Sequence, residues 1–274
     1  MLDLDAYLAR IGTPGLRGAT VETLRVLHAA HPAAIAFENL NPLLGWPVAL
    51  DAAALERKLI TDGRGGWCFE QNALFRLALE ALGFRVTGLG ARVLWNALPE
   101  APVGARSHML LRVEAEGRAY LCDVGFGGNV LTAPLAWEPG VVQQTPHEPH
   151  QILPVEGGCM LQAHIAGAWL PLYRFTEEAQ FPADYEVNNW ILCTHQSSFF
   201  RHTLIAARAT AECRYALRNN ELAVHRARGT EKRIISQAHE LRAVLANEMA
   251  IRLPESAELD LAIDRVVRGA FQRS

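Results

Sequence analysis

The amino-acid sequence predicts an α+β protein in which helices come first and strands follow. Up to Gly83, apolar residues recur at helical spacing between capping and stop residues. From Phe84 the pattern changes to runs rich in valine, leucine and aromatic residues that are broken by glycine turns, which is typical of strands. The 274 residues are 50% hydrophobic and 20% charged. This composition indicates a folded globular protein and excludes disordered, collagen-like and coiled-coil chains.

The first part of the chain shows the start and stop signals of successive helices. Asp3 or Asp5 begins the first helix, which ends at Gly12. Thr20 caps the second helix, and we expect Pro32 to prevent its continuation because proline lacks the amide that a helix interior needs.

Two further helices follow before Gly83. Asp51 begins the first of them. The second covers about 67–82, carries an apolar stripe at i, i+4 and i+7, and has Gly83 at its C-terminal position. Its first turn contains Cys68, so the thiol lies where unpaired backbone amides and the helix dipole stabilise a thiolate.

The pair Glu116-Gly117 predicts a tight hairpin turn between two strands. With a two-residue turn, Leu110 lies opposite Asp123, and His108 is two residues further along the same face. A diagonal pair of this kind is roughly 7–8 Å apart at Cα, within reach of an imidazole-to-carboxylate hydrogen bond. The sequence therefore predicts a His108–Asp123 pair, whereas a three-residue turn would place the two side chains on opposite faces.

The last part of the chain mixes strands and helices. We expect a strand over 221–226, a helix over about 230–246 and a final amphipathic helix over about 258–271.

The charge balance favours small-molecule or protein partners. The formal net charge of -3, from 26 basic and 29 acidic residues, offers no electrostatic basis for binding nucleic acid or a membrane surface. No apolar run approaches the about 18 residues of a spanning helix, and the start MLDLDAYLAR carries acids where a signal peptide is basic. The five cysteines show no C-x-x-C spacing, which argues against a disulfide framework or a zinc ribbon. We therefore expect a cytoplasmic protein.

Cys68, His108 and Asp123 together fit a nucleophilic triad. An imidazolium beside the cysteine stabilises its thiolate, and a carboxylate on the other ring nitrogen fixes the tautomer. The remaining cysteines are expected to be small buried hydrophobes; they are Cys122, Cys159, Cys193 and Cys213.

Three segments resemble the arylamine N-acetyltransferase family of bacterial type: RGGWCFEQN around Cys68, SHMLLRV around His108 and CDVGFGG around Asp123. Weaker similarity extends over IAFENLNPLLG at 35–45, NNWILCTHQSSFF at 188–200 and AVHRARGTEKR at 223–233.

The resemblance implies three domains: a helical bundle over 1–83, an antiparallel β-barrel over 84–190 and an α/β lid over 191–274, with a triad like that of cysteine proteases. It implies that acetyl-CoA is the cosubstrate, that no metal is needed, and that Cys68 is acetylated while His108 acts as base and Asp123 orients it. The acceptors would be arylamines, arylhydrazines or N-hydroxyarylamines, and the protein would be a monomer or a homodimer.

The resemblance also implies two sets of binding residues. The acceptor pocket would be lined by Phe37, Val93, Phe126 and Phe200. The contacts to coenzyme A would come from Trp95, Gly127, His225 and Lys232.

Other interpretations fit the same triad. A thiol hydrolase uses cysteine, histidine and aspartate in this chain order, an amide synthase transfers an acyl group to an intramolecular amine, and a binding protein keeps the fold without catalysis. A metal cluster of His147, His150 and Cys159 is disfavoured because a proline-rich loop does not present two imidazoles as a helical H-E-x-x-H motif does.

Overall fold

The structure, a computed structural model, describes residues 2–98, 100, 102 and 104–269. Its helices are α1 (Leu4–Arg10), α2 (Val21–Ala34), α3 (Leu40–Leu44), α4 (Ala52–Leu55, continued as a π-helix over Glu56–Thr61), α5 (Cys68–Ala81), α6 (Pro182–Thr194), α7 (Ala238–Ala243, continued as a π-helix over Val244–Glu248) and α8 (Ala257–Val267). Its strands are β1 (Phe37–Glu38), β2 (Arg85–Val93), β3 (His108–Ala115), β4 (Arg118–Cys122), β5 (Leu135–Ala136), β6 (Val142–Gln143), β7 (His150–Val155), β8 (Gly158–Ile165), β9 (Ala168–Ala179), β10 (Ile205–Ala209), β11 (Cys213–Arg218), β12 (Glu221–Arg226) and β13 (Gly229–Ile234).

The N-terminal helices begin at the predicted caps. The side chains of Asp3, Thr20 and Asp51 each accept a hydrogen bond from a backbone amide in the first turn of α1, α2 and α4. The prediction that Pro32 ends the second helix is wrong, because α2 continues to Ala34. Pro32 lies near the C-terminus of the helix, so its missing amide costs a single hydrogen bond, and the backbone amide that follows Ala34 still bonds to the helix.

The middle of the chain forms an eight-stranded antiparallel sheet in the order β5-β4-β3-β2-β9-β8-β7-β6. This sheet curls into a nearly closed barrel, and its two edge strands meet through a side chain. The amide of Gln143 on β6 accepts a hydrogen bond from the backbone N–H of Ala136 on β5 at 2.7 Å and donates one to its carbonyl at 2.9 Å. The side chain thereby imitates a strand partner at the seam of the barrel.

The hairpin of β3 and β4 has the predicted register. Ala115 pairs with Arg118, and Glu116 and Gly117 both have positive φ, at 49° and 75°. Two successive left-handed residues define the turn type that matches strand twist, so the turn chemistry fixes the register of the hairpin. His108 and Asp123 therefore lie on one face of the hairpin, as predicted.

A second antiparallel sheet joins the two ends of the chain, in the order β1-β10-β11-β12-β13. Its first strand, Phe37–Glu38, comes from the N-terminal helical region and pairs with β10. The predicted strand over 221–226 is confirmed as β12. The prediction of a helix over 230–246 is wrong for its first part, because residues 229–234 pair with β12 as β13, and the helix α7 begins only at Ala238.

Apolar side chains of α7 and α8 pack on one face of this second sheet. The final helix has the predicted amphipathic pattern and ends at Val267, while the predicted end at Phe271 lies outside the described residues. Among the helices of the described residues, none has the length and apolar character needed to cross a bilayer.

Candidate active site

Cys68 is the first residue of α5 and is 5% exposed. The helix start is fixed by Glu70, whose carboxylate accepts the backbone N–H of Trp67 at 3.1 Å and the ammonium of Lys58 at 2.7 Å. Burial raises the pKa of Glu70, and the Lys58 charge opposes this shift. These two bonds fix the start of α5 at Cys68.

Two glycines allow close backbone packing around the nucleophile, one in the loop before Cys68 and one against Cys68 itself. A Cβ on Gly65 would lie 2.2 Å from the carbonyl oxygen of Ala36, and one on Gly125 would lie 2.8 Å from Cα of Cys68. Real Cβ atoms do not come this near to backbone atoms, so both positions need glycine. Gly65 thus packs against the backbone of Ala36, and the CDVGFGG segment packs against the cysteine itself.

His108 and Asp123 form a buried pair beside the cysteine. Nε2 of His108 lies 2.7 Å from Oδ2 of Asp123, and the two side chains are 3% and 0% exposed. The other carboxylate oxygen accepts the side-chain amide of Asn72 at 3.0 Å and the backbone N–H of Gly125 at 2.9 Å. Sγ of Cys68 lies 3.8 Å from the carbonyl oxygen of Ser107, the residue before His108.

The positive charge of His108 and the negative charge of Asp123 stabilise each other. Burial alone would lower the pKa of His108, but the Asp123 carboxylate, and the nearby Cys68 side chain, outweigh it and raise the pKa to about 10. Burial also opposes the charged form of Asp123, while His108 and the hydrogen bonds from Asn72 and Gly125 lower its pKa. An imidazolium is therefore held next to Cys68 at neutral pH.

The buried histidines predict a stability maximum near pH 6.5. Burial lowers the pKa of His28 to about 3 and those of His31 and His150 to about 4. Below pH 6.5 the unfolded chain binds protons that the folded chain does not, so the free energy of unfolding falls by about 1.4 kcal/mol per pH unit for each such histidine. Above pH 6.5 the sign reverses, because folded His108 keeps its proton up to about pH 10. Urea unfolding from pH 4.5 to 9 measures this dependence.

The variant His150→Gln is the control for this pH dependence. It removes one titrating group, so the slope below pH 6.5 should fall by about 1.4 kcal/mol per pH unit. A flat stability profile between pH 4.5 and 6.5 would contradict the assignment of neutral buried histidines.

Aromatic rings cover the imidazole and the loop before Cys68. The ring centroid of Phe126 lies 5.0 Å from that of His108. Phe200 packs at 5.3 Å on Trp67 and at 6.5 Å on Phe37. The structure thus brings three of the four predicted pocket residues to the surroundings of the triad.

Val93 is the fourth predicted pocket residue and lies at the end of β2 with 39% of its surface exposed. It pairs across the sheet with Tyr173, whose ring centroid lies 5.1 Å from that of His108. Val93 is therefore the neighbour, on the adjacent strand, of the tyrosine whose ring contacts the imidazole.

The residues predicted to contact coenzyme A lie in three places. Trp95 is half-buried against the barrel core, just after β2. Gly127, with φ of 64°, stands where a Cβ would be 3.8 Å from the Phe37 ring. His225 and Lys232 are diagonal neighbours on β12 and β13, on one face of the second sheet.

Sequence reasoning missed two residues of the site. Asn72 bonds to the carbonyl of Met109, to Asp123 and to the backbone N–H of Val124. Asn72 lies one turn after Cys68 on the same helix face, so the sequence alone could have indicated that it is close to the nucleophile. Tyr173, on β9, gives no comparable signal, because only the barrel brings it next to His108.

The remaining cysteines and the histidine-rich loop make none of the hydrogen bonds described for the triad, although Cys122 directly precedes Asp123. All five cysteines are free, and Cys159 differs from the prediction because it is only partly buried. Nδ1 of His147 lies 3.2 Å from the Thr132 hydroxyl, and Nδ1 of His150 donates to the carbonyl of Glu148. Within the described ranges, no three side chains of histidine, cysteine, aspartate or glutamate are grouped to hold a metal ion.

Comparisons with known proteins agree on one family. The N-acetyltransferase family model matches residues 20–258. The arylamine N-acetyltransferase of Mycolicibacterium smegmatis is 44% identical over 95% of this chain and 96% of its own. A crystal structure of a cysteine-to-glutamine variant from Mycobacterium smegmatis superposes with a TM-score of 0.94 at 40% identity, covering 97% of this chain and 99% of the other.

A third similar protein was solved with a ligand. The arylamine N-acetyltransferase of Mycobacterium marinum in complex with CoA has a TM-score of 0.93 and 41% identity, covering 96% of this chain and 99% of the other. The matches extend over nearly the full length of each chain, and the fold agrees over both the barrel and the second sheet. This protein therefore belongs to the arylamine N-acetyltransferase family.

Proposed function

We propose that this acetyltransferase works by a ping-pong mechanism through acetyl-Cys68, with acetyl-CoA as donor and an arylamine, arylhydrazine or N-hydroxyarylamine as acceptor. The observation that carries the proposal is the buried His108–Asp123 pair of 2.7 Å beside a cysteine at a helix start. An imidazolium next to the thiol favours the thiolate, which is the nucleophilic form.

In the first half-reaction, the thiolate of Cys68 attacks the thioester carbonyl of acetyl-CoA. The new S–C bond replaces the bond to the coenzyme sulfur, and the imidazolium of His108 gives its proton to the departing coenzyme thiolate. In the second half-reaction, the amine attacks acetyl-Cys68, loses a proton to His108, and releases the Cys68 thiolate as the amide forms. Each cycle restores the thiolate–imidazolium pair, while Asp123 orients the ring throughout.

Cysteine suits this reaction because acetyl-Cys68 is a thioester, as acetyl-CoA is. The first half-reaction is therefore nearly balanced in free energy, and the second runs downhill to an amide. An aromatic amine is a weak base and is largely unprotonated at neutral pH, so it is ready to attack. The rings of Phe37, Phe126 and Phe200 support a flat apolar acceptor next to the cysteine.

A row of small side chains on the second sheet supports a path for coenzyme A. Phe37, Ala207, Ala216, Ala223 and Lys232 are paired in succession across the five strands, so they share one face. We call this set the alanine row. At a strand spacing of about 4.8 Å it spans about 19 Å.

The alanine row begins near the nucleophile and ends at a cation. Phe37 forms an isolated bridge with Gly66, two residues before Cys68. A Cβ on Gly128 would stand 3.5 Å from Cβ of Ala216, so the glycine turn lies over the row. We propose that an extended pantetheine arm follows this face between the glycine turn and the alanine row, and that Lys232 offers a charge for phosphate.

The turn over the alanine row is tied to the second sheet by a buried arginine. Arg214 on β11 donates to the carbonyl of Gly128 at 3.0 Å and pairs with the carboxylate of Glu148. It is also the cross-strand neighbour of His225. We propose that the C-terminal part of the chain acts as a lid over this path.

Lys232→Ala should raise KM for acetyl-CoA about tenfold, because a charge-assisted contact to phosphate is lost. KM for the amine and the acetyl-transfer rate at saturating acetyl-CoA should stay unchanged. The matched control is Arg228→Ala, which removes a cation from the turn of the same hairpin, outside the alanine row. Equal increases of KM in the two variants would contradict a specific role of Lys232.

Initial rates with both substrates varied test the ping-pong mechanism. With acetyl-CoA and 4-aminosalicylate or hydralazine, we expect parallel double-reciprocal lines; intersecting lines would contradict a free acetyl-enzyme. A thiol hydrolase would instead release acetate from acetyl-CoA without an amine. An amide synthase would prefer a substrate that carries its own amine.

A cytoplasmic setting accords with this proposal. The five cysteines are free thiols, as expected in a reducing compartment. A thiolate nucleophile also needs such a compartment to escape oxidation.

A further inference from the structure

Two buried histidines on α2, one turn apart, contact the two halves of the candidate site. His28 and His31 are both 0% exposed, in a helix that carries neither the nucleophile nor the aspartate. Phe75 of α5 packs edge-on against both rings, at centroid distances of 5.7 and 5.4 Å. A buried imidazole is costly unless it is hydrogen-bonded, and each of these rings makes at least one specific hydrogen bond.

His28 bonds to the backbone of the triad aspartate. The N–H of Asp123 donates to Nε2 of His28 at 3.1 Å. This amide belongs to the first residue after β4, where the ladder with β3 has ended, so it has no strand partner. The bond requires a neutral His28 with its proton on Nδ1.

His31 reaches the loop before the nucleophile through Gln71. The side-chain nitrogen of Gln71 donates to three carbonyls, those of Ile35, Ala36 and Gly66, at 3.2, 2.7 and 3.1 Å. The amide oxygen therefore faces His31, whose Nε2 donates to it at 2.7 Å.

The other nitrogen of His31 completes the chain of bonds. Because the Gln71 oxygen requires the proton on Nε2, Nδ1 of the neutral ring accepts the hydroxyl of Tyr7 at 2.9 Å. Gln71 in turn holds Gly66 against Ala36, and Gly66 stands two residues before Cys68. The loop before Cys68 is thus connected to α2 by hydrogen bonds through Gln71 and His31.

We propose that His28 and His31 are positioning residues that hold Asp123 and the loop before Cys68 at a fixed separation through one rigid helix. Neither side chain touches the reacting atoms. The inference rests on the proposed triad and extends it, because the two bonds come from residues with no assigned role. The bond from the Asp123 N–H to His28 and the bond from the Tyr7 hydroxyl to Nδ1 of His31 both need a neutral ring, and burial lowers the pKa of each ring well below 7.

The first test is the rate at which acetyl-CoA alone acetylates Cys68, followed by quenched-flow mass spectrometry. His28→Phe and His31→Phe should each slow this step at least about tenfold, since small displacements of reacting groups cost rates of this order. KM for acetyl-CoA should not change. His28→Gln and His31→Gln keep an acceptor or donor near the lost one and should restore most of the rate.

Leu27→Ala is the matched control for these variants. Leu27 is a fully buried neighbour on α2 that packs in the helical core, so its loss lowers stability without removing either bond. The variant should have a lower melting temperature than the wild type, and its Cys68 should be acetylated at the wild-type rate. A similar slowing in Leu27→Ala, or a wild-type rate in a folded His28→Phe protein, would overturn the proposal.

A second measurement works on the wild-type protein and does not depend on variants folding. In ¹⁵N-histidine NMR at pH 7, His28 should be neutral with its proton on Nδ1, and His31 neutral with its proton on Nε2. The opposite tautomer, or a charged ring, at either residue would overturn the proposal. If Cys68 of the wild type is never acetylated while both tautomers are as expected, the proposed function fails and the two bonds stand.

Discussion

Replacing Cys68 by serine removes acetyl transfer, with an expected loss of at least about 10³-fold in the overall rate. Serine keeps the side-chain volume nearly unchanged, but its hydroxyl does not ionise near neutral pH, and the imidazolium of His108 cannot make it a nucleophile. A serine ester would also waste much of the acyl-transfer potential of acetyl-CoA. The measurement is the initial rate of amine acetylation at saturating acetyl-CoA.

Cys159→Ser is the matched control, because Cys159 is a free, partly buried cysteine on β8 of the barrel. It should keep the wild-type rate. Binding of acetyl-CoA by Cys68→Ser, measured by calorimetry, should persist, since the proposed path does not use the thiol. Substantial turnover in Cys68→Ser would contradict the assignment of the nucleophile.

Asp123→Asn should lower kcat by about 10⁴-fold, the loss found when the orienting carboxylate of a triad becomes an amide. The carboxylate accepts a hydrogen bond from Nε2 of His108 at 2.7 Å and raises the pKa of the imidazole. Without it, the ring loses its fixed tautomer and its proton at lower pH, so the alkaline limb of the rate profile should move to lower pH. Rates between pH 6 and 10 measure both effects.

Glu114→Gln provides the comparison, because Glu114 is a carboxylate on the same hairpin whose ion pairs are with Arg85 and Arg112. Its rate and pH profile should match those of the wild type. If Asp123→Asn keeps the wild-type profile, the carboxylate has no part in holding the imidazolium.

Local signals predicted the features of the site that depend on a few neighbouring residues. Asp3, Thr20 and Asp51 begin helices because each can cap the backbone amides that follow it. The positive φ that glycine permits at position 117 fixes the hairpin register, and this register alone places His108 and Asp123 on one face. The helix start at Cys68 follows in the same way from the segment around it.

Long-range pairing decided what the sequence could not predict. Residues 229–234 are exposed and mostly polar, with no strand pattern of their own. They form β13 because they pair with the free edge of β12. Phe37–Glu38 is too short to be recognised as a strand, yet it joins β10 and starts the alanine row. The contact of Tyr173 with His108 depends on the pairing of β2 with β9, which no local pattern encodes.

Intact-protein mass spectrometry with separated half-reactions shows whether Cys68 carries the acetyl group between acetyl-CoA and the amine. Wild-type protein is mixed with acetyl-CoA alone, digested to locate the modification, and then given 4-aminosalicylate or hydralazine. We expect one acetyl group on Cys68 that persists in water and is discharged by the amine. An acetyl group lost rapidly without the amine, or a protein that stays unmodified while the amine is acetylated, would contradict this expectation.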